Sequence, residues 1–132
     1  MTLSDKDIDR IQQQLHKRRE ALRWLIHDTL LESKREDFVD LAGQVHDAAE
    51  ESFADLLVGV NLAHLDREVA ELADIEAALE RIREGSYGQC VDCGEDIAVA
   101  RLEAYPTAKR CQPCQSRYEN GTRGGRDVTP SI

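Results

Sequence analysis

Apolar side chains recur at three- and four-residue steps along two long stretches of the chain. Over residues 5–34 the stripe is Ile8, Ile11, Leu15, Leu22, Leu25 and Leu30, with one longer gap after Leu15. That period predicts a helix with one buried face, and Ser4 followed by Asp5 offers an N-cap. Over residues 48–84 the stripe is Phe53, Leu57, Leu62, Leu65, Val69, Leu72, Ile75, Leu79 and Ile82. Asp47 can cap the start of this second helix, and Gly85 stops it. Between the two, "DLAGQVHD" reads as the turn, with Gly43 inside it.

The two stripes fit one antiparallel register. Ile8 faces Leu79, Leu15 faces Leu72, Leu22 faces Leu65, Leu25 faces Leu62 and Leu30 faces Leu57, while Ile11 meets Ile75 to within a residue. The turn then falls between Gly43 and Gln44. This predicts an antiparallel coiled coil about 45 Å long. Arg18 would face Val69 as a flaw in the seam. Glu20 would face Arg67 as a flanking ion pair worth about 0–1 kcal/mol. The far end becomes an acidic tip over residues 36–51, with Asp40 beside Asp47, Asp37 beside Glu50 and Glu36 beside Glu51. Like charges this close oppose one another; they either splay into screening solvent or meet a cationic partner or a metal-rich site.

Charge sharpens this picture. The net charge of the 132-residue chain is −9, yet residues 36–76 alone carry twelve acids and one base. An acidic middle repels phosphate and argues against direct binding of DNA or RNA. Aromatic residues make up 5% of the chain and charged residues 33%, a balance that suits long amphipathic helices more than a broad core. No stretch approaches eighteen apolar residues, so no transmembrane span is expected. "MTLSDKDIDR" lacks the apolar region of a secretory leader. The expectation is a cytoplasmic protein, where thiols stay reduced.

All four cysteines lie in "CVDCGEDIAVARLEAYPTAKRCQPC", as two C-x-x-C pairs, Cys90/Cys93 and Cys111/Cys114. This spacing signals one structural Zn2+ with four thiolate ligands and no open position for a substrate. Iron in the same cage is the other metal option. A redox role fits less well, because there are two pairs and no βαβ pattern around either. Gly94 suits the tight turn after Cys93, and Pro113 restricts the backbone of the second pair. Residues 86–118 hold few apolar groups (Tyr87, Val91, Ile97, Val99, Leu102, Tyr105, Tyr118), too few for a core without the metal. "QSRYEN" predicts a short C-terminal helix, and the glycine-rich "GTRGGRDVTPSI" a disordered tail over residues 120–132. His16, His27, His46 and His64 are scattered, and His46 with Glu50 on one helix face is a solvated pair before it is a catalytic one. No Walker loop, GxGxxG or nucleophile elbow is present, so no catalytic residue and no enzyme is expected.

The stretch "IEAALERIREGSYGQCVDCGEDIAVARLEAYPTAKRCQPCQ", residues 75–115, resembles the DksA/TraR family of bacterial transcription regulators in its "YGQC", "CGEDI" and "RLEAYPTAKRC" elements and in all four cysteines. The resemblance implies a monomer that binds bacterial RNA polymerase and not promoter DNA. The coiled coil would enter the secondary channel with its tip near the catalytic magnesium, and the zinc end would sit at the rim. The family's tip motif, Asp-x-x-Asp-x-Ala, matches Gln44-Val45-His46-Asp47-Ala48-Ala49, with Asp47 and Ala49 retained, Gln44 in place of the first acid, and Glu50 next to them. Counted from Cys90, Arg67 and Arg101 resemble the family's polymerase-gripping positions. Many members act jointly with ppGpp in the stringent response, through basic residues at positions that here hold Asp74, Tyr105 and Gln115.

The expected protein is therefore mainly α: a long antiparallel helical hairpin over residues 1–85, a four-cysteine zinc-finger domain over 86–119 and a tail. Its expected role is regulation of transcription initiation through polymerase, with weak or no ppGpp synergy and no membrane partner. The rival readings are a non-transcriptional interaction module of the same build and a thiol redox protein.

Overall fold

The computed structural model describes residues 3–33, 35–47, 57 and 63–125. The described chain is mainly helical, with no strand among the described residues: α1 (Asp5–Glu32), α2 (Glu36–Asp47), α3 (Asp66–Glu84), α4 (Val99–Ala104) and α5 (Gln112–Gly125), with a 3-10 turn, Ala63–Leu65, leading into α3. It divides into two compact units. One runs from Gln12 to Glu80; the other joins the residues up to Ile11 to those from Arg81 onward.

α1 starts where the sequence places it. The Asp7 amide donates to Ser4 Oγ and the Ser4 amide to Asp7 Oδ2, each at 3.1 Å, a reciprocal cap with aspartate at the third position. The Ser4 amide, and then Arg10, hold the Asp7 carboxyl below its ordinary range. Arg10 pairs with Asp7 and with Glu103 of α4, both within the unit that joins the residues up to Ile11 to those from Arg81 onward.

In the Gln12–Glu80 unit, the buried face of α1 is Leu15, Arg19, Leu22, Ile26 and Leu30. Two positions of that stripe differ from the sequence expectation. Ile26 is fully buried while Leu25 is 46% exposed. The gap after Leu15 is filled by Arg19, 3% exposed, whose Nε lies 3.5 Å from Glu76 Oε2 of α3. α3 buries Leu72, Ile75 and Ala78. Arg18 is exposed and is not a flaw in the seam; its guanidinium meets both oxygens of Glu71, at 2.6 and 2.8 Å. The Glu71 hydrogen bond raises the Arg18 pKa, and the same bond lowers that of Glu71. Glu20 is not paired with Arg67 either. It lies 3.8 Å from Arg19 and 3.6 Å from Arg23 of its own helix, and Arg67 is exposed on α3.

The largest departure is the turn. Residues 36–47 are one helix, so no turn lies between Gly43 and Gln44. The chain reverses earlier, between α1 and α2; the Ser33 hydroxyl donates to the Leu30 carbonyl at 2.6 Å and accepts from the Arg35 amide at 3.2 Å. α2 then folds back along α1, and the Arg23 Nε donates to the Val45 carbonyl at 3.0 Å. The physical reason is the spacing of Phe38, Leu41, Ala42 and Val45. All four are buried, and together they form a helical stripe that a turn would break. Asp47 is consequently the last residue of α2, and Asp40 lies two turns before it on the same helix. The remainder of the expected tip, Ala49, Glu50 and Glu51, lies outside the described residues, as does the start of the expected second helix.

Gly43 is exposed in mid-helix, and a Cβ built on it meets nothing within 4 Å. Replacing it with alanine reduces the entropy of the unfolded chain at no steric cost. Gly43→Ala is expected to stabilise the protein by about 0.5–1 kcal/mol, read as a rise in the denaturant midpoint at unchanged m-value. A loss of stability would mean that Gly43 sits in a turn.

Candidate metal centre

The second unit is organised by its cysteines. Gly85, at φ 85°, ends α3, and its amide donates to the Ile82 carbonyl at 3.2 Å. A short ribbon follows: the Ile97 amide donates to Gly88 at 2.7 Å and the Cys90 amide to Glu95 at 2.8 Å, around the Gln89–Asp96 bridge. Inside it, Cys90 to Cys93 form the first knuckle. Gly94 closes that knuckle at φ 77° with its amide on the Cys90 carbonyl at 2.9 Å, a backbone conformation that side chains disfavour. The second knuckle leads straight into α5, and the Gln115 amide donates to the Cys111 carbonyl at 2.9 Å. α5 continues through Gly121 to Gly125, further than the expected short helix and into part of the expected disordered tail. Once the knuckle has nucleated a helix, each further residue adds a bond at little cost. Residues 126–132 lie outside the described residues.

Two contacts join the knuckles, and two more brace the second. The Val91 amide donates to the Lys109 carbonyl at 2.9 Å. Arg110 Nε reaches Asp92 Oδ2 at 2.7 Å, and the Arg110 guanidinium lies 3.9 Å from the centre of the Tyr118 ring. Arg101 of α4 donates from Nε to the Arg110 carbonyl at 3.0 Å, next to Cys111. Beneath them, Ile97, Leu102 and Ala108 are buried, as is Tyr87, whose hydroxyl donates to the Pro106 carbonyl at 2.7 Å.

This framework brings the four sulfurs within 4.8 Å of one another, with Cys93 Sγ and Cys111 Sγ 3.8 Å apart. Four sulfurs at about 2.3 Å from one ion stand about 3.8 Å from each other along the edges of a tetrahedron. None of the cysteines is in a disulfide. The donor set therefore fits one structural Zn2+ held by Cys90, Cys93, Cys111 and Cys114, as the spacing predicts. The electrostatics also call for a cation. Contact with the Cys111 sulfur, followed by burial, pushes the Cys114 thiol up to about 12. Burial raises Cys90 as well, but the amides of Cys93, Cys111 and Asp92 directed at its sulfur outweigh it and bring that thiol down to about 6. A divalent ion lets all four ionise together, and four thiolates leave no coordination position for chemistry.

The other sequence-derived site residues are not gathered at this centre. Gln44 is exposed on α2, and Asp47 is the last residue of that helix. Arg67 belongs to the Gln12–Glu80 unit and Arg101 to the zinc-bearing one. Arg101 is half-buried, with Nη1 3.4 Å from Gln112 Oε1, Nη2 buried without a hydrogen-bond partner, and the guanidinium 5.3 Å from the Tyr105 ring centre. Sequence reasoning missed Arg117, one helical turn beyond Cys114, whose Nη2 donates to Cys114 Sγ at 3.0 Å. The cysteine-to-arginine spacing of three residues at a helix start was the available signal. No described helix is long and apolar enough to cross a membrane.

Burial raises the Tyr87 hydroxyl to about 12 from 10. The folded state thus holds this proton more tightly than the unfolded chain. The associated stability is complete below pH 10 and is lost as pH climbs towards 12. Tyr87→Phe is expected to lower stability at neutral pH by about 1 kcal/mol, through the lost hydrogen bond, and to fall off less steeply above pH 10. Denaturant titrations of both proteins across that range check it.

Residues 85–120 match the prokaryotic dksA/traR C4-type zinc finger. The chain is 31% identical over 127 residues to the RNA polymerase-binding transcription factor DksA of Caulobacter vibrioides, covering 95% of this chain and 84% of that one. It is 30% identical over 118 residues to the protein of the same name from Haemophilus influenzae, covering 87% and 80%. Among solved structures, transcription factor DksA2 from Pseudomonas aeruginosa superposes with a TM-score of 0.61 at 29% identity, over 91% of this chain and 88% of that one.

Proposed function

The chain belongs to the DksA/TraR family, and from that premise we propose that it is a cytoplasmic transcription regulator that binds bacterial RNA polymerase directly as a monomer. Its helices would enter the secondary channel and modulate initiation, without contacts to promoter DNA. The observation that carries this reading is the relationship to RNA polymerase-binding transcription factors over most of both chains, four-cysteine centre included. The charge distribution supports it: twelve acids against one base between residues 36 and 76 disfavour a nucleic-acid partner. Four thiolates committed to one ion leave neither a redox pair nor an open metal position, which favours a binding protein over an enzyme.

In this reading the residues divide their labour. Arg67, exposed on α3, and Arg101 of the zinc unit grip polymerase, while Gln44, Asp47, Ala49 and Glu50 act on the active centre. The test is co-purification with core polymerase, followed by crosslinking from position 47. Asp47→Asn is expected to leave polymerase affinity within about threefold and to weaken the effect on open-complex lifetime. Regulation identical to wild type would reduce Asp47 to a structural residue, and failure to bind core polymerase would leave an interaction module with a different receptor.

The proposed regulation has weak or no synergy with ppGpp. Of the three positions that the family resemblance assigns to that ligand, Asp74 is acidic, and the Gln115 amide donates to the Glu119 carboxylate at 2.9 Å. Tyr105 offers a ring and no cation. A missing charge-assisted hydrogen bond forfeits about 1.5–3 kcal/mol. Transcription on a polymerase whose separate alarmone site has been removed is expected to change less than about twofold when ppGpp is added. A several-fold enhancement would refute this.

A further inference from the structure

A side chain outside the ligand set, that of Arg117, reaches a cysteine sulfur of the centre. Four thiolates around one Zn2+ leave the centre with two surplus negative charges, and such charge is stabilised by donors aimed at sulfur. The donors are unevenly distributed here. Cys90, 3% exposed, receives the amides of Cys93, Cys111 and Asp92. Cys114, also 3% exposed, receives the Arg117 guanidinium, Nη2 to Sγ at 3.0 Å. Cys93 is exposed and Cys111 is half-buried. The inner sulfurs, Cys90 and Cys114, are therefore buried and hydrogen-bonded; of the outer two, Cys93 is exposed although the Glu95 amide also reaches it, and Cys111 is half-buried.

We propose that Arg117 is a positioning residue for the zinc: its guanidinium clamps the Cys114 thiolate, so that zinc is retained at the inner sulfurs and is lost first from Cys93 and Cys111. A thiolate whose lone pair is engaged by a cationic N–H is a poorer nucleophile and a poorer proton acceptor, and release of the metal needs each sulfur to be captured by a proton or another electrophile. A guanidinium suits the task because it keeps its charge at every relevant pH and presents its donors rigidly. Its place on α5, three residues after Cys114, makes the contact local. It forms wherever the first turn of that helix forms. The inference concerns this chain's hold on its metal and is independent of any partner, so it can fail while the polymerase reading stands, and the reverse.

The test uses the full-length zinc-loaded protein and Arg117→Leu. Arg117 is itself exposed, so the variant is expected to keep wild-type helix content by circular dichroism. Zinc transfer to a chromophoric chelator is expected to be about 10–100-fold faster, the usual effect of removing a residue that supports a metal ligand. Arg117→Lys, which keeps the charge, is expected to restore part of the slow release. The deciding readout is spectroscopic. In the Co2+-substituted protein, loss of the N–H···S bond makes the Cys114 thiolate more electron-rich and moves the sulfur-to-cobalt charge-transfer band to lower energy. Alkylation of the zinc-loaded protein, mapped by mass spectrometry, is expected at Cys93 and Cys111 before Cys114 in wild type, with that delay lost in Arg117→Leu. An unmoved charge-transfer band in Arg117→Leu overturns the proposal, whatever the release rate, because a residue that merely stabilised α5 could change the rate but not the electronic state of the sulfur.

Discussion

The tetrathiolate centre is the constraint on which the zinc-bearing unit depends. Its buried side chains among the described residues are few, chiefly Ile11, Tyr87, Ile97, Leu102 and Ala108 beside Cys90 and Cys114. Burial on that scale does not offset the backbone entropy of more than thirty residues. Structural zinc contributes an apparent ~10–16 kcal/mol in small fingers, enough to decide whether the segment folds. The surrounding polar contacts make sense as consequences. The Val91–Lys109 backbone bond and the Arg110–Asp92 pair hold the two knuckles at the separation one ion requires, and α5 is nucleated where the second knuckle ends. Donors directed at Cys90 and Cys114 moderate the charge that the ligands bring.

A different constraint governs the Gln12–Glu80 unit. Its seam contains an arginine. Leu15, Arg19, Leu22, Ile26 and Leu30 form one continuous buried face, so α1 keeps a helical stripe that its apolar residues alone would interrupt. Burying a guanidinium is unfavourable unless it is paired, and Glu76, with its side chain 12% exposed, provides the counter-charge from α3. Such a pair adds little net stability over two apolar residues of the same volume. It does penalise every other register of α3 on α1, because a shift strands the charge. The more exposed Arg18–Glu71 fork reinforces that register from the flank.

How much of this could be read from the sequence varies with the kind of determinant. The zinc ligands could be, because a C-x-x-C pair constrains geometry almost without context. So could the helical character of the first stripe, that of the second from Asp66 onward, and the Ser4 cap, which are local. The turn could not. Gly43 reads as a breaker, although Phe38, Leu41, Ala42 and Val45 carry the stronger periodic signal and burial rewards it. Arg19 is hidden in the sequence because a charged residue reads as a gap in a stripe, and its partner Glu76 lies more than fifty residues away. The choice of Leu25 over Ile26 is a one-residue phase error of the kind that arises when one helix packs against two partners, α3 along one part and α2 along another.

Arg101 shows where residue identity and structure pull apart. The family resemblance places a polymerase contact at this position, yet much of its guanidinium is turned inward. Nε supports the Arg110 carbonyl, Nη1 approaches Gln112, Nη2 is buried, and the plane lies near Tyr105. The Arg110 carbonyl precedes Cys111, so the side chain that would meet a partner also sets the entry to the second knuckle. A substitution there acts on the metal site and on any interface at once, and its effect on binding cannot be apportioned unless zinc occupancy is measured in the same sample. Arg67 carries no such ambiguity, since it is exposed on a helix whose packing is made by Leu72, Ile75 and Ala78. The two arginines look equivalent in a motif. They differ in that one is held by the fold and the other is not, and this decides which of them reports cleanly on partner binding.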